Sequence, residues 1–197
     1  MVRPTDTLGV RIFGSLPVFG RQDQHGHVWI EFENARVLAN HTLATKGDGF
    51  MVPQARLGPG CIHRCMRSIG RAKRAPQMMV ERANQDSIQE WIAESQIEIE
   101  QARLSTMKAV WMIDQGGAKL AKTEIAAIKV IAPRVACNVI DRAIQVHGGL
   151  GVSNDIPLAK MYGWQRALKL FDGPDHVHLR SIASWELKRP RSVQIPF

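Results

Sequence analysis

Residues 171–178 combine a carboxylate with a glycine just before a predicted helix. Asp172 at such a helix entrance is a candidate general base facing a cleft. The same aspartate could instead cap the helix, with Pro174 in its first turn. Residue composition does not separate these two interpretations. His176 and His178 alternate along the predicted helix and would diverge, so they are poor co-ligands for one metal ion.

A second segment, residues 145–152, places three glycines directly after a strongly periodic helix. Glycines at this position most often form a helix C-cap. They also let the backbone approach a ligand closely, and Gln145 could offer a side-chain amide. Both interpretations stay open on the residues alone.

Cys61, His63 and Cys65 have a spacing that superficially resembles a metal site. On a helix the two thiols would share a face while the histidine points elsewhere. No second Cys/His pair follows at zinc-site spacing, so we expect no metal. Three cysteines without paired spacing favour a reducing compartment over a disulfide scaffold.

The formal charge is +8 at pH 7, from 26 Lys+Arg against 18 Asp+Glu. This excess is either solvated surface or an attraction for an anionic partner such as a polyphosphate cofactor. The densest basic stretch, residues 64–74, lacks the interleaved aromatic residues of a base-stacking surface, so we expect no nucleic-acid partner. No apolar run approaches the roughly 20 residues of a membrane span. The N-terminus has no apolar signal core and carries an acid, which predicts a cytoplasmic location.

The elements that must position these residues fall into two classes. Residues up to about 43 are rich in Gly and Pro and read as two to four strands, with Val28, Ile30 and Phe32 on one face. Residues 22–26 are turn-like, so a hairpin is plausible. From residue 49 onward the pattern is helical, and several long helices with short joints predict an antiparallel bundle.

Four helices follow the first one in this interpretation. The second, 87–114, begins with a capping box at Ser87 and Glu90 and ends at Gly116 and Gly117. The third, 118–147, contains Pro133 and has the clearest apolar periodicity. Two shorter helices are predicted over 157–170 and 174–188, and the tail 189–197 looks loose. The Gly-Pro-Gly at 58–60 predicts a break before or within the first helix, and Pro76 should interrupt that helix.

Four strings in order along the chain carry a specific resemblance: GF with RLGPG (49–60), IAESQIEIEQARL (92–104), IDRAIQVHGG (140–149) and DGPD (172–175). They resemble FAD-dependent acyl-CoA dehydrogenases of the branch that includes family members 10 and 11. The resemblance implies that residues 1–45 are the last part of the family's middle β-domain. Residues 46–188 would be its C-terminal helical bundle, so the fold is mostly α with a partial β segment ahead of it.

The activity implied by the resemblance is α,β-dehydrogenation of an acyl-CoA thioester, within fatty acid metabolism. In that family a carboxylate removes the α-proton while the β-hydrogen leaves as hydride to the flavin. The family's base position falls on Asp172. Other members place the base on the first bundle helix, but residues 56–66 contain no acid.

The family's flavin and substrate contacts carry over to five positions. Gln145 and Gly149 match the Gln-x-x-Gly-Gly motif, whose glutamine and second glycine contact FAD, usually on the neighbouring subunit. Pro174 and His176 would line the flavin, although the family usually has Glu at the latter position. Gly173 would border the substrate.

The chain departs from the family in features that bear on activity. The Arg-x-x-Phe-Gly segment whose arginine holds the FAD pyrophosphate is missing after Asn84, which should weaken FAD binding by about 1.5–3 kcal/mol. Cys61 stands where the family generally has a substrate-side arginine. The N-terminal helical domain and the first half of the β-domain have no counterpart here.

These departures leave more than one functional hypothesis. The chain could be a truncated and impaired acyl-CoA dehydrogenase, or an active one whose missing pocket wall another chain supplies. The alternative is a non-catalytic helical module for interaction or assembly. The resemblance also implies an electron-transfer flavoprotein or similar acceptor, self-association through the bundle helices, and a mitochondrial location as a second possibility.

Overall fold

A computed structural model describes residues 5–21, 27–82 and 86–188, without the side chains of residues 54, 55, 86 and 87. The chain separates into two compact units, Met1–Leu57 and Gly58–Phe197. The elements in chain order are β1 (Val10–Ser15), β2 (Val28–Phe32), α1 (Met51–Val80), α2 (Asp86–Leu120), α3 (Lys122–His147), α4 (Gly149–Val152), α5 (Leu158–Leu168) and α6 (Asp175–Lys188), with short 3-10 turns at Ala39–His41 and Asp48–Phe50. The mostly helical fold class is confirmed, whereas the domain limits at residues 45 and 188 stay a prediction.

The first unit contains an antiparallel hairpin, as the strand pattern predicts. β1 pairs with β2 with Val10 opposite Phe32 and Ile12 opposite Ile30, and a bulge follows Ile12. None of the residues of either strand is buried. A two-stranded sheet with both faces exposed is marginally stable by itself, so the hairpin depends on surroundings beyond its own two strands. The turn-like residues 22–26 lie outside the described part of the chain.

The second unit is built around α3, which packs against α2, α4, α5 and α6. Its core consists mainly of alanine and branched aliphatic side chains, including the fully buried Ile128, Val139 and Ile140. The small side chains allow close approach of the helices. Burial of these apolar side chains removes their surface from water and so stabilises the bundle.

One charged contact fixes α2 against α3. The Arg142 guanidinium donates two hydrogen bonds to the Glu98 carboxylate, at 3.1 and 2.8 Å, and lies 3.0 Å from Glu94. The paired geometry restricts the relative rotation of the two helices, since a planar fork matches a carboxylate in one orientation. Both residues belong to the strings that carry the family resemblance.

Helix α1 is continuous through Pro59 and Pro76, so the predicted break and the predicted interruption are wrong. A proline removes a backbone donor and crowds the preceding turn. Pro76 is nevertheless fully buried, between the core residues Ala75 and Met79. Tertiary packing of this face therefore offsets the local cost of the proline.

The glycine pair that should end the second helix does interrupt it. Gly116 and Gly117 have non-helical backbone angles, with φ of −158° and 75°, inside the span of α2. Helix α3 begins at Lys122 rather than at residue 118. The predicted helices at 157–170 and 174–188 correspond to α5 and α6. The capping box at Ser87 and the tail 189–197 lie outside what the structure describes.

Within the described residues, none of the helices combines the length and the apolar character needed to cross a bilayer.

Gln165 on α5 is one of the buried polar residues of the bundle. Its side chain is 0% exposed, and neither its amide oxygen nor its amide nitrogen has a hydrogen-bond partner in the described part of the chain. Burying an amide without a partner costs on the order of 1–3 kcal/mol. We expect Gln165→Leu to raise the free energy of unfolding by about that amount, measured by urea denaturation.

Exposed Gln96 on α2 gives the matched control, because Gln96→Leu should change stability by less than about 0.5 kcal/mol. A clear loss of stability in Gln165→Leu would show that the buried amide makes hydrogen bonds that the leucine cannot replace.

Candidate active site

Asp172 lies in the turn that joins α5 to α6. Its φ of 57° and the φ of 96° at Gly173 make two consecutive left-handed residues. Aspartate tolerates this region better than most residues, and glycine adopts it without cost. The turn reverses the chain within a few residues. Helix α6 begins only at Asp175, so Asp172 precedes the helix by three residues.

The Asp172 carboxylate forms a salt bridge with Arg64, which projects from α1. The aspartate side chain is 15% exposed and that of the arginine is 43% exposed. The carboxylate therefore has a fixed partner on another helix while one side of the pair remains accessible to solvent. An aspartate engaged in this way is held by tertiary structure, not by the end of its own helix.

His178, in the first turn of α6, contacts the backbone of Asp172. Its Nε2 lies 3.2 Å from the Asp172 carbonyl oxygen, so the tautomer protonated at Nε2 donates a hydrogen bond there. Burial lowers the pKa of His178, and the positive charge of Lys129 lowers it further. Both effects favour the neutral imidazole. The histidine therefore contributes a neutral donor that fixes the turn.

Gly173 is required by its surroundings as well as by its φ. A Cβ at this position would stand 3.0 Å from Nε2 of His178. A side chain here would push the imidazole away from the Asp172 carbonyl. The glycine thus permits the His178 contact as well as the tight reversal.

Asp175, in the first turn of α6, is the second carboxylate at this end of the bundle. One oxygen lies 3.8 Å from Lys169 and 3.9 Å from Arg134. Its backbone N–H donates to the Lys169 carbonyl at 3.2 Å. The negative charge at a helix N-terminus and the two neighbouring cations make Asp175 a structural anchor for α6.

The flavin positions implied by the resemblance lie in two places. Pro174 and His176 are exposed and adjoin Asp172 in the α5–α6 turn. Gln145 and Gly149 are exposed at the far end of α3. Gln145 follows Arg134, which approaches Asp175, by eleven residues, roughly 16 Å along the helix axis. The structure therefore brings Asp172, Gly173, Pro174 and His176 together but not the glutamine.

In the glycine segment, Gly148 caps α3 and Gly149 has accessible backbone. Gly148, with φ of 57°, ends α3, and its N–H donates to the Gln145 carbonyl. Nothing lies within 4 Å of a Cβ built on Gly149. The C-cap interpretation is thus correct for Gly148, and Gly149 leaves room for a ligand to approach its backbone.

Cys61 and Cys65 face the interior of the bundle, whereas His63 is exposed. Burial raises the pKa of the Cys61 thiol and raises that of Cys65 to about 12, so both are neutral thiols. Cys65 donates to the Ile128 carbonyl at 3.3 Å. Among the residues that the structure describes, no three His, Cys, Asp or Glu side chains converge as metal ligands.

A separate groove of about 860 Å³ lies between the start of α3 and α6. Lys122 stands over the Trp185 ring in this region, 5.4 Å from its centroid. The groove includes none of the residues that the sequence assigns to the site.

Arg64 and His178 are the site residues that sequence reasoning missed. In the sequence, Arg64 belongs to a basic stretch and His178 is a poor metal ligand, and neither feature indicates a contact with Asp172. A usable signal exists for Arg64, since it lies three residues after Cys61 and therefore on nearly the same face of α1. Its partner, 108 positions away, is not visible in local sequence.

The Arg64–Asp172 contact should be measurable as a coupling energy. We expect a double-mutant cycle of Arg64→Ala and Asp172→Ala to give about 1 kcal/mol of coupling, near the top of the range for exposed pairs, because the carboxylate is mostly buried. The measurement is the free energy of unfolding of the four variants in low salt.

Arg67→Ala is the matched control, since Arg67 lies on the exposed side of α1. Additive effects of Arg64→Ala and Asp172→Ala, with no coupling beyond that of Arg67→Ala with Asp172→Ala, would contradict a formed ion pair.

Comparison with known proteins places this geometry in a family. The family model for the acyl-CoA dehydrogenase C-terminal domain matches residues 47–187. The chain is 56% identical to "Probable acyl-CoA dehydrogenase FadE2" of Mycobacterium tuberculosis, over 96% of this chain and 49% of that protein. It is 49% identical to human acyl-CoA dehydrogenase family member 11, over 94% of this chain and 25% of that protein.

A solved structure from Mycobacterium abscessus, assigned to the acyl-CoA dehydrogenases, superposes with a TM-score of 0.89 at 41% identity. The superposition covers 93% of this chain and 48% of the other. The chain thus spans about half the length of some relatives and a quarter of others. The family resemblance of the sequence is confirmed: the chain belongs to the acyl-CoA dehydrogenase family and corresponds to its C-terminal part.

Proposed function

We propose that the chain provides the base and part of the flavin site of an FAD-dependent acyl-CoA dehydrogenase. The observation that supports this proposal most directly is the placement of Asp172. Its carboxylate is held by Arg64 on a left-handed turn, three residues before α6, with one side accessible. A carboxylate fixed in this way is suited to remove a proton from a bound ligand.

In this mechanism an Asp172 oxygen accepts the proton from the α-carbon of the acyl thioester. FAD, when bound, supplies the oxidation by accepting the β-hydrogen with its electron pair. Arg64 keeps the carboxylate in one orientation, and His178 fixes the backbone that carries it. Gly173 borders the substrate without a side chain that would obstruct it. The proposed acceptor of the electrons is an electron-transfer flavoprotein or a similar carrier.

The exposed positions fit a flavin in two parts. Gln145 offers an accessible amide and Gly149 an open backbone at the end of α3, suited to the polar part of the cofactor. Pro174 and His176 are accessible beside the base. Because the two groups lie far apart on one chain, we propose that Gln145 and Gly149 serve the flavin of a neighbouring subunit.

Flavin affinity should be lower than in a complete family member. Helix α1 ends at Val80 and α2 begins at Asp86, which leaves only residues 81–85 for the connection. The family's Arg-x-x-Phe-Gly segment, with its pyrophosphate arginine, has no place there. Losing a charge-assisted contact of about 1.5–3 kcal/mol weakens binding by roughly ten- to a hundredfold. The net charge of +8 offsets part of this loss by attracting an anionic cofactor.

The second candidate function is a non-catalytic assembly module. It is favoured by the same short connection and by α6, whose described residues include none that is buried. In this case the helices would associate with a partner, and Asp172 would serve only to shape the turn. The proposed location is cytoplasmic, with a mitochondrial one as the alternative implied by the family.

Titration of the purified chain with FAD tests the first proposal. We expect quenching of flavin fluorescence and a protein-bound absorbance band, with an affinity in the micromolar range or weaker. Addition of an acyl-CoA should bleach the band in the wild-type chain. Asp172→Asn should retain the flavin signal and lose the bleaching, because the amide cannot accept the α-proton.

His63→Asn, at an exposed position of α1 outside the site, is the control and should bleach normally. A chain that quenches no FAD fluorescence at any concentration would overturn the flavin proposal. Stable co-purification with one partner, unaffected by Asp172→Asn, would then favour the assembly module.

Self-association through α6 is the second expectation. Four large apolar side chains of this helix are exposed, namely Val177, Leu179, Trp185 and Leu187. Such a surface is costly to leave in water. We expect light scattering to give a mass of at least twice 22.0 kDa, reduced by the double variant Leu179→Glu, Trp185→Glu.

Lys188→Glu on the same helix is the matched change of charge and should leave the mass unchanged. A mass equal to one chain at tens of micromolar protein would rule out association of the isolated chain.

A further inference from the structure

Lys129 on α3 is the largest fully buried side chain among the described residues, with 0% exposure. A buried ammonium is costly, and an apolar side chain of the same length would fill the space without that cost. Burial lowers the pKa of Lys129 and the nearby charge of Arg64 lowers it further, while the charge of Asp175 acts in the opposite direction. A charge kept in this position calls for a role beyond filling volume.

The Lys129 ammonium donates a hydrogen bond of 2.7 Å to the backbone carbonyl of Leu168. In the described part of the chain it forms no salt bridge to a carboxylate. Its one directional contact is therefore made to main chain, and it connects α3 with α5.

Leu168 is the last residue of α5, and it is only 3% exposed. Carbonyls in the last turn of a helix have no partner within the helix, and water has poor access to this one. A cation at a helix C-terminus is also favoured by the helix dipole. Lys129 therefore satisfies a group that would otherwise be buried without a partner at the point where the chain leaves α5.

The residues that follow Leu168 lead directly to Asp172. The N–H groups of Leu170 and Phe171 both donate to the Ala167 carbonyl, which closes the last turn. The left-handed pair Asp172 and Gly173 comes next. Arg64 and His178 hold the end of this turn, and Lys129 holds its beginning.

We propose that Lys129 is a positioning residue for Asp172: its hydrogen bond to the Leu168 carbonyl fixes where the α5–α6 turn leaves α5, and so sets the base against Arg64. The lysine does not touch substrate or cofactor. Its role rests on the proposed function only in what Asp172 is used for, because the geometric claim concerns the turn itself.

Hydrogen exchange tests the claim without flavin or turnover. Lys129→Met keeps an unbranched side chain, shorter by one atom, and removes the donor. We expect exchange of the Leu170, Phe171 and Asp175 amides to become roughly tenfold faster or more, relative to the rest of α3 and α5. Ile140→Ala is the matched control, since Ile140 is equally buried on the same helix. It should lower the stability of the whole bundle without singling out these amides.

The coupling between Arg64 and Asp172 gives a second readout. In the wild-type background the coupling corresponds to a factor of about five in the unfolding equilibrium constant. This factor should fall to near one when the cycle is repeated in the Lys129→Met background. The same cycle with Ile140→Ala should keep its coupling. Unchanged exchange at the turn in Lys129→Met, or the same exchange pattern in Ile140→Ala, would overturn the proposal. Either result can be read even if the chain binds no FAD, so failure of this inference and failure of the proposed function are distinguishable.

Discussion

The candidate site depends on the enclosure of α3 by the other helices of the bundle. Because α2, α4, α5 and α6 all pack on this helix, the position of the α5–α6 turn is fixed relative to α3. The contact of Arg134 with Asp175 and that of Lys129 with the Leu168 carbonyl both originate on α3. The hydrogen bonds within the turn close it locally, and these two contacts fix it to α3. The position of Asp172 is thus a property of the packed bundle.

Much of the architecture could be predicted from local patterns. Apolar periodicity identifies α2 and α3, and Gly116 with Gly117 marks the kink near the end of α2, because backbone conformation at glycine is a local property. The candidate base, Asp172, follows from the resemblance of the DGPD string to the family. Local patterns failed for proline. Helix α1 continues through Pro76, because core contacts with residues distant in sequence offset the local cost of the proline.

The partners of Asp172 were beyond sequence reasoning for a different reason. Arg64 and Asp172 are far apart in the chain, and only the packing of α1 beside the α5–α6 turn brings them together. The role of Lys129, in contrast, is indicated by its position in the sequence. It lies four residues after Ile125 and three before Ala132, directly on the apolar stripe of α3, where a solvated lysine would not be expected. A charged residue at a position of a buried apolar stripe thus indicates a specific buried polar contact, which the stripe alone does not.

The two buried thiols of α1 have a consequence for how the bundle can be followed in solution. Cys65 and Cys61 are protected by burial, and thiolates, the reactive form, are rare at their raised pKa values. Alkylating reagents can therefore reach them only when α1 separates from α3. The rate at which these cysteines are alkylated therefore reports how often α1 separates from α3, and no added label is needed to measure it.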